Sequence, residues 1–341
     1  MKYTKFGKTG IEVSKMCLGT WGIGGAGWDN YSDESRMDAI KAALDCGINF
    51  IDTAPAYNAG KAEQYVGETL HKLGARKEVV ISTKCGNEFI DGKYVRCGSA
   101  DKILRECDES LQNLKTDYID VYLVHWPDPN VPMEETMDAL NQLKKQGKIL
   151  HAGVSNFTKE QMEEANKYCE IEAYQPQFSM VDRDNEELIR WAHAQDMGVM
   201  TYGTLGGGIL TGKYRELKTY EANDNRNRFY PYFREPLFSK AMKLLSVMDE
   251  ISKEIEMRLA KMKEMAELPK LPEPQKLEML EVKEKIGKLK ERGFILKRKG
   301  TGSVRTLIKG NPTMVSPKYA ESFKQLKGYL KEFEEKRKGK D

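Results

Sequence analysis

Four side chains in this sequence have the chemistry to move a proton together: the carboxylate of Asp52, the phenol of Tyr57, the amine of Lys84 and the imidazole of His125. Three of them close short apolar runs. Ile48-Asn49-Phe50-Ile51 leads into Asp52, Val79-Val80-Ile81-Ser82-Thr83 into Lys84, and Tyr118-Ile119-Asp120-Val121-Tyr122-Leu123-Val124 into His125, while Tyr57 lies just beyond Asp52. A phenol titrates at ~10, and a neighbouring ammonium favours its phenolate. Lys84 is therefore expected to pull the Tyr57 pKa down, Asp52 to keep Lys84 charged and aimed, and His125 to orient a carbonyl or share the proton. An acid placed within hydrogen-bond reach of a reacting oxygen is worth ~10²–10⁴ in rate.

Such residues meet only if the elements that carry them converge. β-Branched and aromatic runs of this length read as buried parallel strands, and in a closed barrel the C-terminal strand ends share one mouth. Strands are expected over 16–20, 48–52, 79–84, 119–125, 149–154, 171–175 and 198–202, with an eighth over 304–308. Helices are expected between them, over 33–46, 62–73, 100–114, 133–146, 158–168 and 185–195, and two more over 238–255 and 317–333. Ser32 is placed to cap the first of these, and Gly47, Gly74 and Gly147 follow helix ends. Alternation of strand and helix predicts an α/β fold, a (β/α)8 TIM barrel forming a single domain over 1–341. Two alternating segments around Gly7-Lys8-Thr9-Gly10 predict a β-hairpin over 1–15 that plugs the barrel's base. The composition changes over residues 255–299, where about half are charged, mostly Lys and Glu. Leu268-Pro269-Lys270-Leu271-Pro272-Glu273-Pro274 interrupts this stretch, which predicts two surface helices joined by a proline turn or a coiled-coil-like hairpin. Residues 336–341 read as a frayed tail.

Composition narrows the class of function. At 341 residues, 40% hydrophobic and 31% charged, the chain reads as globular, and a net charge of +3 argues against a nucleic-acid partner. No apolar stretch reaches the ~18 residues of a membrane span, and the start, Met1-Lys2-Tyr3-Thr4-Lys5, lacks an apolar signal core. Six cysteines without a C-x-x-C pair fit reduced thiols and a cytoplasmic location. Neither they nor His71, His151 and His193 form a metal-binding spacing.

Two glycine patterns point elsewhere. Gly22-Ile23-Gly24-Gly25-Ala26-Gly27 fits G-x-G-x-x-G, but Trp28 to Tyr31 intervene before the Ser32 cap, whereas a dinucleotide-binding helix opens inside the motif. Gly207-Gly208-Ile209-Leu210-Thr211-Gly212-Lys213 fits most of a P-loop, but Tyr214 stands where Ser or Thr is required. A cofactor clamp suits it better, with backbone amides from Leu205 to Gly208 facing a pyrophosphate and Lys213 as counter-charge.

The segments Gly47-Ile48-Asn49-Phe50-Ile51-Asp52-Thr53-Ala54-Pro55-Ala56-Tyr57 (followed by Glu63 and Gly67), Leu123-Val124-His125-Trp126-Pro127 and Gly147-Lys148-Ile149-Leu150-His151-Ala152-Gly153-Val154-Ser155-Asn156-Phe157 together resemble the aldo-keto reductases, especially their bacterial stress-type branch, from residue 1 to about 251. The resemblance implies NAD(P)H-dependent reduction of an aldehyde or ketone. Tyr57 would be the acid, with Lys84, Asp52 and His125 completing a tetrad. Ser155, Asn156 and Gln175 would hold the nicotinamide carboxamide, Tyr202 would stack on the ring, Leu205, Gly207 and Lys213 would contact the phosphates, and Trp21 and Trp126 would line the substrate mouth. The chain departs from the family after Ile251: no Arg stands where the 2′-phosphate of NADP would be gripped, and Lys309 or Lys318 would serve as point charges instead. NADP(H) is the expected cofactor, with NAD(H) open. Two other outcomes fit the same residues: a cofactor-sensing regulatory subunit, as in the channel-associated β subunits that resemble this family, or an engineered barrel whose remodelled C-terminal third has lost its cofactor.

Overall fold

The computed structural model describes residues 1–28, 31–90 and 93–267. The expected eighth strand (304–308), the helix over 317–333, Lys309, Lys318, the tail and the proline turn lie outside the described residues. The chain divides into two compact units, Met1–Arg234 and a second that opens at Glu235.

The first unit contains strands β1 (Tyr3–Lys5), β2 (Glu12–Ser14), β3 (Leu18–Gly19), β4 (Phe50–Asp52), β5 (Val80–Cys85), β6 (Asn87–Ile90), β7 (Lys93–Arg96), β8 (Ile119–Val124), β9 (Ile149–Ser155), β10 (Ala173–Gln175) and β11 (Gly198–Val199). Its helices are α1 (Trp21–Gly24), α2 (Asp33–Asp45), α3 (Lys61–Leu73), α4 (Ala100–Leu114), α5 (Met133–Lys145), α6 (Lys159–Ala165), α7 (Glu186–Ala194) and α8 (Asn225–Phe229). Seven strands form one sheet in the order β3-β4-β5-β8-β9-β10-β11, every neighbouring pair parallel. This is the α/β, (β/α)8 barrel class, with helices following strands as the alternation predicts.

Inward and outward residues alternate. On β5, Ile81 and Cys85 join the layer between sheet and helices, with Ile40, Val66, Leu70, Ile103 and Leu140. Val80 faces the barrel interior instead, with Phe50, Val121, Leu123, Ala173 and Met200. The β1–β2 hairpin closes this interior from the N-terminal strand ends, contributing Phe6 and Val13. Phe6 meets Phe50 edge-on at 5.2 Å, and Lys8 N–H donates to the Asp196 carbonyl. Gly198 opens β11 because a Cβ there would stand 2.6 Å from the Phe6 ring.

Several elements differ from expectation. Strands β3, β4, β10 and β11 are shorter than their apolar runs: Ile171 is fully buried yet precedes β10, so burial extends beyond ladder pairing. Tyr202, expected to end the seventh strand, is joined by a single parallel bridge to Gln177. Helix α6 stops at Ala165 because the Asn166 side chain accepts from the Ile171 amide and turns the chain away. The segment after Lys84, for which no strand is expected, contains an antiparallel hairpin pairing Asn87 with Arg96.

In the second unit the described helix α9 (Leu237–Glu267) runs through residue 255, where the sequence predicted its end. Lys, Glu, Met and Leu are all good helix formers, so the change in composition brings no helix break. Phe238, Ala241, Leu244, Leu245 and Val247 are its buried apolar residues.

Candidate active site

Strand register brings the reactive groups together. Asp52 is the last residue of β4 and pairs across to Ser82; Lys84 pairs with Leu123 on β8, beyond which His125 begins the next loop. Both Asp52 and Lys84 point into the barrel interior and are buried, Lys84 completely. Lys84 Nζ lies 2.9 Å from each oxygen of Asp52 and 2.7 Å from the Thr53 carbonyl. It also donates to the Tyr57 hydroxyl oxygen at 3.2 Å. The Tyr57 ring is presented by a tight turn: its amide donates to the Ala54 carbonyl, and Asn58 Nδ2 pins the turn to the Gly24 carbonyl at 2.7 Å. The His125 ring stands edge-on to Tyr57, centroids 6.2 Å apart.

The electrostatics correct one expectation. Burial raises the Tyr57 phenol above its ordinary pKa; Lys84 pulls it down, Asp52 adds to the rise, and burial prevails. The phenol is therefore held protonated rather than acidified. Burial works against the Lys84 ammonium, but Asp52 and Tyr57 together more than offset it, so Lys84 is raised and stays charged. Burial, then Lys84, pushes His125 well below its ordinary value, so its imidazole is neutral.

Ser155, Asn156, Gln175 and Tyr202 form one connected patch at the ends of β9 and β10. Ser155 Oγ donates to the Gln175 carbonyl at 2.9 Å, Asn156 Nδ2 to the His125 carbonyl at 3.0 Å, and Tyr202 to Asn156 Oδ1 at 2.8 Å. Gln175 also ties this patch to the ion pair: its amide nitrogen donates to Asp52 Oδ1 at 2.9 Å. The loop from Leu205 to Lys213 is built on a 3-10 turn over Gly206–Thr211 in which Gly207 and Gly208 adopt left-handed backbone. Gly206 and Gly208 donate their amides to the carbonyls of Gly203 and Leu205, which narrows the expected row of phosphate-facing amides. Leu205 is 55% exposed, and Lys213 lies near the Tyr214 ring.

Trp21 stacks on Tyr57 at 6.1 Å. It also meets Trp28 at 5.2 Å and Phe229 at 5.3 Å edge-on, and lies 6.5 Å from Tyr230. These three aromatic neighbours were not anticipated, although the dense run Phe229-Tyr230-Pro231-Tyr232-Phe233 carried a signal. Trp126 is stacked by the Arg96 guanidinium of the β6–β7 hairpin at 5.2 Å. The G-x-G-x-x-G segment does contain a helix, the single turn α1, but its carbonyls are held by Arg36, whose Nη1 donates to Ile23 at 2.5 Å. Cys85 is buried, and burial pushes its thiol well up, as for an inert core residue.

The model of the aldo/keto reductase family matches residues 15–263. The aldo-keto reductase YhdN of Bacillus subtilis is 39% identical over 254 residues, 74% of this chain and 76% of its own length. The NADH-specific methylglyoxal reductase of Escherichia coli is 40% identical over 228 residues, 62% of this chain and 70% of its own. Among solved structures, the glycerol dehydrogenase AKR11B4 of Gluconobacter oxydans aligns with a TM-score of 0.65 at 34% identity, covering 73% of this chain and 76% of that one. No described helix is long and apolar enough to cross a membrane. The motifs, the parallel barrel and these relatives agree: the chain belongs to the aldo/keto reductase family of oxidoreductases, which act on carbonyl compounds.

Proposed function

We propose that the protein reduces an aldehyde or ketone to the alcohol with NADP(H) or NAD(H), and that Tyr57 supplies the proton. The observation that carries this reading is the direction of one hydrogen bond: Lys84 donates to the Tyr57 oxygen, which leaves the phenol's own proton for another acceptor. Lys84 then stabilises the phenolate once that proton has gone, because an ammonium 3.2 Å away favours the charged form. Asp52 keeps Lys84 charged and aimed from two oxygens. Neutral His125 donates to the carbonyl oxygen and orients it beside Tyr57.

The residues present suit a nicotinamide cofactor. Ser155, Asn156 and Gln175 gather hydroxyl and amide groups beside the tetrad, the chemistry that recognises a carboxamide. When bound, the cofactor supplies the hydride for the carbonyl carbon. Trp21 and Trp126 shape the opening for the substrate.

The test is a fluorescence titration of the full chain with NADPH and, separately, NADH, followed by a panel of small aldehydes and ketones. Binding with turnover is the expected result, and the tighter cofactor assigns the specificity. Binding without turnover replaces the enzyme with a cofactor sensor; absence of binding to either cofactor overturns the reading.

A further inference from the structure

Helix α4 carries a charge on its inner face. Its buried residues include Ile103, Glu106, Cys107, Ser110 and Leu114, and Glu106 is only 2% exposed. Its surroundings are those of a core position: Cys85 on β5, Cys107 on its own helix and Tyr122 on β8, with Glu88 and Glu109 as further acids nearby. Burial pushes the Glu106 carboxyl up to about 7, opposed by the Gly86 amide and by Lys102. A buried carboxylate so incompletely compensated costs stability, so what it holds is informative.

It holds one peptide unit. Glu106 Oε2 accepts from the Gly86 N–H at 2.7 Å. The carbonyl of that same peptide belongs to Cys85, and it accepts from the His125 N–H at 2.9 Å. One face of the Cys85–Gly86 peptide therefore grips His125 while the other is gripped by Glu106. When Glu106 is ionised, its charge on the N–H side polarises the peptide and strengthens its carbonyl as an acceptor. Lys102 lies 3.7 Å from Glu106 and 3.4 Å from Glu88 on β6, so the same helix holds the β6–β7 hairpin that precedes it. The Gly86 carbonyl accepts from the Cys97 N–H at 3.0 Å, closing that hairpin's base.

We infer that Glu106 is a positioning residue for the candidate active site, acting through the Cys85–Gly86 peptide to fix the backbone of His125. The inference rests on the reading of His125 as the group that orients the carbonyl. Glu106 touches no reacting atom. It sets where the imidazole stands relative to Tyr57, and errors of about 1 Å in such groups cost up to ~10²-fold in rate.

The test compares Glu106→Ala and Glu106→Gln with the wild type in two ways. Steady-state kinetics of aldehyde reduction should show kcat/KM falling about tenfold in Glu106→Ala, with the cofactor Kd unchanged. Glu106→Gln, which keeps an acceptor oxygen for Gly86, should recover most of it. Amide NMR of the full chain should show the His125 and Gly86 N–H signals shifted and exchanging faster in Glu106→Ala than in Glu106→Gln. A merely structural carboxylate would lower the melting temperature of both variants and leave kcat/KM and the His125 amide as in the wild type, which overturns the inference. If Glu106→Ala does not fold, an unshifted His125 amide and wild-type kcat/KM in Glu106→Gln, together with wild-type values in Lys102→Met, overturn it as well. A wild type that turns over no carbonyl sinks the proposed function, and the NMR comparison still decides whether Glu106 governs His125.

Discussion

The base and the mouth of the barrel use the same residue types for different purposes. At the base, Arg76 is saturated: it reaches the carbonyls of Val79 and Tyr118, the Thr116 hydroxyl and Asp120 at 2.8 to 2.9 Å. Asp120 in turn accepts from the Ile81 amide at 2.9 Å. Glu172 is likewise enclosed by Lys144 at 2.6 Å and His151 at 2.7 Å. At the mouth, Lys84 is as well satisfied as Arg76, but it ends on a phenol, and Tyr57 and His125 both keep part of their surface in solvent. Buried ion pairs therefore do not mark the end proposed as reactive. What marks that end is a phenol held beside an ion pair, its oxygen accepting from Lys84.

The largest expected effect falls on that phenol. Tyr57→Phe should lower turnover by ~10²–10⁴ with the melting temperature and cofactor affinity nearly unchanged; stopped-flow or steady-state reduction of an aldehyde measures it, and near-normal turnover would remove Tyr57 from the chemistry. Next comes a matched pair of cuts. Lys84→Met and Arg76→Met each leave a buried carboxylate without its cation and should each cost about 3–5 kcal/mol in denaturant unfolding. Only Lys84→Met should also abolish activity per folded molecule, and an equal loss in Arg76→Met would erase the distinction between the ends. Phe6→Ala tests the plug: about 3–5 kcal/mol should be lost from the interior packing, while the cofactor titration stays as in the wild type.

The smallest effect is the part of the acid pH limb that Glu172 contributes at the base. Burial would raise the Glu172 carboxyl, but hydrogen bonds and charge from His151 and Lys144 prevail and bring it from 4.5 to about 2. A depressed carboxyl contributes stability that is present above its unfolded value and lost as pH falls toward its folded value. The wild type should therefore lose on the order of 2–3 kcal/mol between about pH 4.5 and 2 through this residue, and Glu172→Gln should flatten that limb in acid unfolding curves. An unchanged limb in the variant would show that the base holds its charges more loosely than the distances indicate.

Much of this was legible in the amino-acid order because strand and helix periodicities are local. The apolar runs ahead of Asp52, Lys84 and His125 end within one or two residues of the strand ends, and the helices over 100–114 and 133–146 fall almost residue for residue on α4 and α5. Strand limits were less legible, since residues such as Ile171 are buried without joining a ladder. The aromatic surroundings of Trp21 escaped because Phe229 and Tyr230 lie far along the chain, and no local pattern ties them to Tyr57.

By itself, then, the chain's order of residues determined the barrel class, the strand ends that carry acid, amine and imidazole, and membership of a carbonyl-acting family. Tertiary structure alone decided which way Tyr57 titrates, since burial and the ammonium oppose each other and only their relative strength in space sets the sign. It also decided that Gln175 turns to Asp52, 123 residues earlier in the chain, and that Glu106 and His125 share one peptide. Those outcomes depend on distance and on exclusion of water, and neither is written in sequence separation.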